Sequence, residues 1–265
     1  NGFQDKDVDL NKTGDFDEFD LWALAKLKRY EIAIRKAYEN FEFHLIYHHT
    51  VNFCAVTLSN LYFDVLKDRL YIEKMDSLKG RSSRIILTRI FRVLVKLLAP
   101  VLSFTSEDAW KAFLAEQGRE NRESIHLAEF EELNVDLEKI RTIEEKWDRI
   151  FKVREEVNKA LEKVKLDNLI GHTLEAMVVL FPLNENIKKF LNENKHLLPF
   201  AFIVSRVDIT DREMEQVHSG NEEMKVMVTR ASGSKCKRCW NYSETVGRQK
   251  GHEELCERCA SIIAS

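Results

Sequence analysis

The stretch KCKRCWNYSETVG (235–247), with LCERC (255–259) behind it, decides how the end of this chain folds. Cys236 and Cys239 form one Cys-x2-Cys pair, Cys256 and Cys259 form a second, and sixteen residues separate the two. Each pair suits a tight knuckle that turns both sulfurs toward one ion, and the segment between is long enough for a hairpin that returns the second pair. Four thiolates at tetrahedral positions favour zinc and leave no position for water, so the spacing predicts one structural Zn2+ and no catalytic metal. Two disulfides are disfavoured: the one further cysteine is Cys54, no apolar signal segment opens the sequence, and a reducing compartment would keep the thiols free for metal. Cys54 lies in an apolar helical stretch and reads as a small core residue.

Cations crowd the knuckles. Lys235, Lys237 and Arg238 surround the first, Arg248, Lys250 and Arg258 follow, and Trp240 comes directly after Cys239. A module of about thirty residues is mostly surface, so this ring has little core to enter. It can stack on an unpaired base, a contact worth about 1–3 kcal/mol, while neighbouring cations hold the phosphates. The alternative is that Trp240 packs beneath the ribbon or against the preceding module.

Working back from the ribbon, scarce Pro (3) and Gly (9) with 44% hydrophobic and 32% charged residues point to long helices in two or three domains. No run of eighteen apolar residues exists, which argues against a membrane span. The net charge of −3 gives no whole-chain signature of nucleic-acid binding, so any such function must rest on local patches.

Residues 1–15 are polar and aperiodic and read as a frayed entry. Phe16 to Phe41 is helical by its period: Leu24, Leu27, Ile34, Tyr38 and Phe41 share a face. A second, longer helix carries Phe43, Tyr47, Cys54, Leu58, Leu61 and Val65 as a stripe, and its other faces are apolar enough to predict the centre of a bundle. After a polar break from Glu73 to Gly80, a third helix is expected from about Ser82 to Leu98 with Ile86, Ile90, Val93 and Leu97 inward. Ser106 is expected to cap a short fourth helix, and the bundle closes near Gln117.

A long helix over Asp136–Lys165 follows, then β-rich runs at Ala176–Phe181, Phe202–Ile209 and Met224–Val228 around a polar helix at Asn184–Lys195. The fold class is therefore mainly α: an antiparallel helical bundle, a small α/β module and a four-cysteine zinc ribbon. Domains are expected at 20–132, 133–231 and 232–265, after an entry segment at 1–19.

No catalytic centre stands out. His44 and His48 have one-turn spacing but lack the intervening Glu of a metalloprotease, and with His49 they read as ordinary hydrogen-bonded histidines. Glu155 and Glu156 are adjacent on a helix and point apart. Arg81, Arg84, Arg92 and Lys96 fall along one face of the third helix, where they could follow a phosphate backbone or form a solvated basic face.

YHHTVNFCAVTLSNLYFDVLKDRLY (47–71), LAPVLSFTSEDAW (98–110), SIHLAEF (124–130) and the two knuckle segments together resemble the C-terminal part of bacterial-type isoleucyl-tRNA synthetases over about residues 20–260. VREEVNKALEKVK (153–165) and LIGHTLEAMVVLF (169–181) resemble that family's junction module. The resemblance implies a helical anticodon-binding domain, a zinc ribbon, and tRNA(Ile) as partner of a cytoplasmic monomer, with neither DNA nor membrane involved. It also implies that ATP-dependent charging resides in catalytic and editing domains outside this sequence. KMDSLK (74–79) echoes the family's KMSKS signature only superficially, and IGH (170–172) is a fragment of its other signature without context. The resemblance makes Arg238 and Trp240 the foremost candidates for anticodon-loop contact, with Lys235 and Lys237 beside them. Arg81, Arg84 and Arg92 would grip the stem without sequence preference. Two other readings stay open. One is a zinc-stapled structural or protein-interaction module. The other is a DNA glycosylase of the formamidopyrimidine type, whose zinc ribbon is similar but whose Pro-Glu start and N-terminal β-rich domain have no counterpart in Asn1-Gly2-Phe3 and the helices that follow.

Overall fold

The computed structural model describes residues 8–116, 124–130, 132–214 and 216–264. Residues 1–7 of the expected entry segment, and Gln117 at the expected end of the bundle, lie outside them. The chain divides into two compact units, one of residues 1–70 and 74–145 and one of residues 71–73 and 146–265.

The first unit is helical. Helix α1 (Glu18–Glu39) starts at Asp17, whose carboxylate accepts from the Phe19 N–H at 2.9 Å and satisfies one of the orphan amides of the first turn. Phe19, Leu24, Leu27 and Ile34 on this helix are fully buried, as are Tyr62, Leu66 and Ile86 on the elements that follow. A second helical rod combines α2 (Phe43–Asn52), a π-helical stretch (Phe53–Phe63) and α3 (Asp64–Ile72).

The expectation that this second rod lies at the centre is corrected. Phe43 and Tyr47 are 55% and 65% exposed, and His44, His48 and His49 are exposed with them. Leu58 and Val65 of the expected stripe are buried, but Ile46, Phe53, Tyr62 and Leu66, which lie outside it, are buried with them. The step of five from Phe53 to Leu58 is that of a π-helix, so one 3.6-residue stripe does not run through the element.

Helix α4 (Leu78–Leu98) begins four residues earlier than expected because Ser77 caps it, accepting from the Gly80 N–H at 3.0 Å. Gly80 is required there, since a Cβ would come within 2.1 Å of the Lys74 carbonyl oxygen. Helix α5 (Ser103–Glu116) likewise starts upstream of Ser106, which is buried inside the helix and is not its cap.

A buried ionic network holds the helices in place. Asp20 on α1 accepts from the Tyr62 hydroxyl at 2.6 Å and the Ser83 hydroxyl at 3.0 Å, and Arg69 on α3 lies 3.4 Å away. Arg69 also pairs with Asp17 at 2.6 Å and covers the Phe19 ring at 5.2 Å. Burial pushes the Asp20 carboxyl up and outweighs the opposing pull of Arg69 and Tyr62.

Helix α6 (Leu137–Leu166) contains the unit boundary between Glu145 and Lys146. In the second unit, Trp147, Ile150, Val157 and Leu161 on α6 are buried. A four-stranded sheet has the order β2-β1-β4-β3, with β1 (Ala176–Pro182), β2 (Arg206–Ile209), β3 (Ser219–Gly220) and β4 (Met224–Arg230). Strands β1 and β2 are parallel, with Val178 opposite Val207, and are joined through α7 (Glu185–Glu193) and α8 (Leu198–Phe202). Strand β4 runs antiparallel to β1 with Val178 opposite Val228. The expected strand at Phe202–Ile209 is shortened to its second half. Pro199 sits in the first turn of α8, where its missing N–H costs nothing, and Ile203 then ends that helix in the left-handed region at φ 56°.

Candidate metal centre and nucleic-acid interface

The ribbon is built on very short elements: β5 (Ser234–Lys235), β6 (Tyr242–Ser243) and α9 (Glu257–Ala264). Gly233 at φ 87° leads into it, and a Cβ there would lie 2.3 Å from the Ser243 backbone, so only glycine lets the hairpin strands close. The second strand is fixed from the sheet side, where the Tyr242 N–H donates to the Ser205 hydroxyl at 2.7 Å.

The four cysteine sulfurs all lie within 4.8 Å of one another. Cys239 Sγ and Cys256 Sγ are 3.7 Å apart, against about 3.8 Å between sulfurs in a tetrahedral site with zinc–sulfur bonds of about 2.3 Å. Cys236 and Cys259 are fully buried, and Cys239 and Cys256 nearly so. Burial pushes the Cys236 thiol up, but backbone N–H groups of Cys239, Cys256 and Arg238 donate to its sulfur and hold it down at about 6. Burial and the neighbouring sulfurs raise the thiols of Cys239 and Cys259. A divalent cation relieves that strain, because four crowded thiolates need a central positive charge. Donor type, spacing and enclosure fit one structural zinc. Among the described residues no other group of three or more His, Cys, Asp or Glu side chains converges in this way.

Around this centre the candidate contact residues have different fates. Trp240 is 56% exposed and sits at φ 65°, in the left-handed region that costs a non-glycine residue about 1–2 kcal/mol. Its N–H donates to the Cys236 carbonyl at 2.9 Å, so the knuckle imposes this geometry and turns the ring outward. Lys235 Nζ lies over the ring at 5.1 Å from its centroid. Lys237 is exposed and paired with Glu254. Arg238 is half-buried and donates through Nη2 to the Ile72 carbonyl at 2.8 Å.

In the first unit, Arg81 is exposed, whereas Arg84 is folded back onto the carbonyls of Met75 and Gly80 at 3.2 and 3.1 Å. Arg92 and Lys96 line a cleft with Glu31, Arg35, Phe130 and Glu132, and Lys96 is itself buried with its ammonium over the Trp110 ring. The row of cations along α4 is therefore not one solvated face. Sequence reasoning missed Ile72, which is buried among the four cysteines although it lies far away along the chain. Its only sequence signal is the apolar period of the helix that it ends.

A family profile described as "Anticodon-binding domain of tRNA ligase" matches residues 20–180, and one described as "Zinc finger found in FPG and IleRS" matches residues 233–262. The second spans two kinds of protein, so the ribbon alone does not choose between them; the first decides against the glycosylase. Among curated proteins the chain is 42% identical over 246 residues to an isoleucine–tRNA ligase of Carboxydothermus hydrogenoformans, and 41% identical over 247 residues to that of Syntrophotalea carbinolica. Each match covers 93% of this chain and 26% of the relative. An isoleucine–tRNA ligase of Thermoanaerobacter sp. is 39% identical over 265 residues, covering 98% of this chain and 28% of the relative. The chain thus spans about a quarter of the length of the curated relatives that it matches.

Proposed function

The chain belongs to the anticodon-binding domain family of tRNA ligases, and from that premise we propose that it is the tRNA-reading portion of an isoleucine–tRNA ligase, with tRNA(Ile) as its partner. The observation that carries this is Trp240. A ring held outward in a left-handed conformation, on a base stapled by four cysteines, is a stacking platform that the fold maintains against its own local preference. Lys235 occupies one face of the indole, which leaves the other for an unpaired base of the anticodon loop. Lys237 and Arg81, both exposed, supply charge for phosphates and carry no sequence information. Arg84 and Arg92, with side chains engaged by carbonyls or set in a cleft, are weaker candidates for the stem.

Zinc, when bound by Cys236, Cys239, Cys256 and Cys259, supplies the folding free energy of a module too small to fold on core burial. The chain's own part in catalysis is positioning: contacts at the anticodon arm orient the distant acceptor end, which turns binding energy into alignment. Activation of isoleucine with ATP and its transfer to tRNA would belong to the remaining part of such an enzyme, acting in the cytoplasm. The protein is expected to bind as a monomer and to prefer RNA to DNA. The test is the affinity of the zinc-loaded protein for an isoleucine tRNA beside the same tRNA with its anticodon replaced. Tighter binding to the native anticodon supports the reading, equal binding reduces the fragment to backbone grip, and no binding to either refutes it.

A further inference from the structure

Ile72 is the last residue of α3, and the last carbonyls of a helix lack intrahelical partners and carry the negative end of its dipole. The guanidinium of Arg238 donates to the Ile72 carbonyl at 2.8 Å, a cation at the helix end that favours one. The Ile72 side chain is 5% exposed and packs among Cys236, Cys239, Cys256 and Cys259, with Val246, Leu255 and Ile262 around them. Arg238 thus faces two ways. Its backbone N–H helps to hold the Cys236 sulfur, and its side chain holds the helix end.

We propose that Ile72 and Arg238 form a clasp that closes the metal centre and positions the Trp240 platform, so that Arg238 acts through the ribbon's geometry and not by touching phosphate. The apolar side of the four-cysteine cluster is completed by a residue that no knuckle motif contains. Segment 71–73 belongs to the same compact unit as the ribbon, which is the grouping that the clasp requires. Opening the clasp exposes the sulfurs to competing ligands and leaves Trp240 on a looser base. The RNA part of this inference rests on the reading of Trp240 as a stacking residue, and the metal part does not.

The test uses the whole zinc-loaded chain with Arg238→Met, Arg238→Lys and Ile72→Ala, each checked for unchanged helicity by circular dichroism. Zinc transfer to a chromogenic chelator is expected to be several-fold faster in Arg238→Met and Ile72→Ala. Arg238→Lys, which can still donate to the carbonyl, should return toward the parent rate. Affinity for an isoleucine tRNA transcript is then followed against salt concentration. A clasp predicts several-fold weaker binding for Arg238→Met with an unchanged slope of log affinity against log salt. A slope reduced by about one, with zinc release unchanged, identifies Arg238 as a phosphate contact and overturns the proposal. Unchanged zinc release in both Arg238→Met and Ile72→Ala overturns it whatever the RNA result. Accelerated release in a protein whose parent form binds no tRNA upholds the clasp and removes the tRNA reading instead.

Discussion

Replacing Arg69 by Met isolates what the buried network contributes. Arg69 is 4% exposed, and it faces Asp20, which is fully buried, and Asp17. Methionine fills much of the volume but leaves the Asp20 carboxylate with neutral hydroxyl partners, Tyr62 and Ser83 among them, and no cation. Removing one partner of a buried pair costs about 3–5 kcal/mol. A second route gives a ceiling, because Asp20 can take up a proton in the fold instead of remaining an orphan charge. From its ordinary value of 3.8, protonation at pH 7 costs about 4 kcal/mol at about 1.4 kcal/mol per unit. At pH 5 the same cost is about 1.5 kcal/mol. Burial already holds the Asp20 carboxyl above 3.8 in the parent, and losing the opposing pull of Arg69 raises it further in the variant, so both lose stability as pH rises above 3.8 and the variant's deficit opens where the parent's carboxyl has ionised and the variant's has not. Urea unfolding followed by far-UV circular dichroism should show a midpoint lowered by about 1.5 M at neutral pH, and most of that loss should vanish by pH 5. Adding Asp20→Asn removes the orphan charge and should restore part of the stability. A deficit below about 1 kcal/mol, or one that is flat between pH 5 and pH 7, would refute the assignment of this network as an ionic pin between α1 and α3.

Trp240→Gly should keep zinc, should not destabilise the ribbon because it removes a left-handed non-glycine residue, and should weaken tRNA binding by about 1–3 kcal/mol; a loss under about 0.3 kcal/mol by titration with a labelled transcript would place the ring in packing. Cys256→Ser should unfold the ribbon with its helix α9 and spare the helical bundle, since zinc contributes on the order of 10 kcal/mol to that module alone; circular dichroism with metal analysis checks it, and general loss of helicity would contradict a local metal role. Glu144→Gln tests a pH-dependent tie in the first unit. Burial pushes the Glu144 carboxyl up, but Arg29 at 2.7 and 2.8 Å and Lys26 at 2.9 Å outweigh it and hold it below its ordinary 4.5. The stabilisation is then present above 4.5 and lost as pH falls through the folded value. The variant should lose about 1 kcal/mol at pH 7, discounted for the exposure of Arg29, and should match the parent protein in strong acid; a difference that persists there would show a packing effect.

The metal centre was legible in the sequence because its chemistry is written as spacing: two Cys-x2-Cys pairs supply all four ligands of one ion, whatever else packs against them. The long helix α6 and strands β1 and β4 were legible for a similar reason, since each carries its own period. The second helical rod misled because apolar composition was read as central burial. Phe43 and Tyr47 are apolar and exposed, and the π-helical stretch moves the buried register by a step that a 3.6-residue template cannot represent. Asp20, Tyr62 and Arg69 carry no local pattern that would join them, because their association exists only once α1 and α3 have packed.

The same distinction separates the candidate contact residues. Sequence shows that a cation is present but not whether a backbone carbonyl has already claimed it. Arg84 is held by Met75 and Gly80, and Arg238 by Ile72, so two of the arginines that looked most available are committed inside the fold. Trp240 is the opposite case. The knuckle forces it into a conformation that glycine would adopt at lower cost, and its ring stays in solvent with Lys235 on one side. A residue whose conformation is costly and whose side chain stays more than half exposed is poorly explained by stability, so the strain is better accounted for by something the ring must meet outside the chain. The arginines have internal partners that account for their placement, whereas the indole is more than half exposed, and it is where recognition should be sought first.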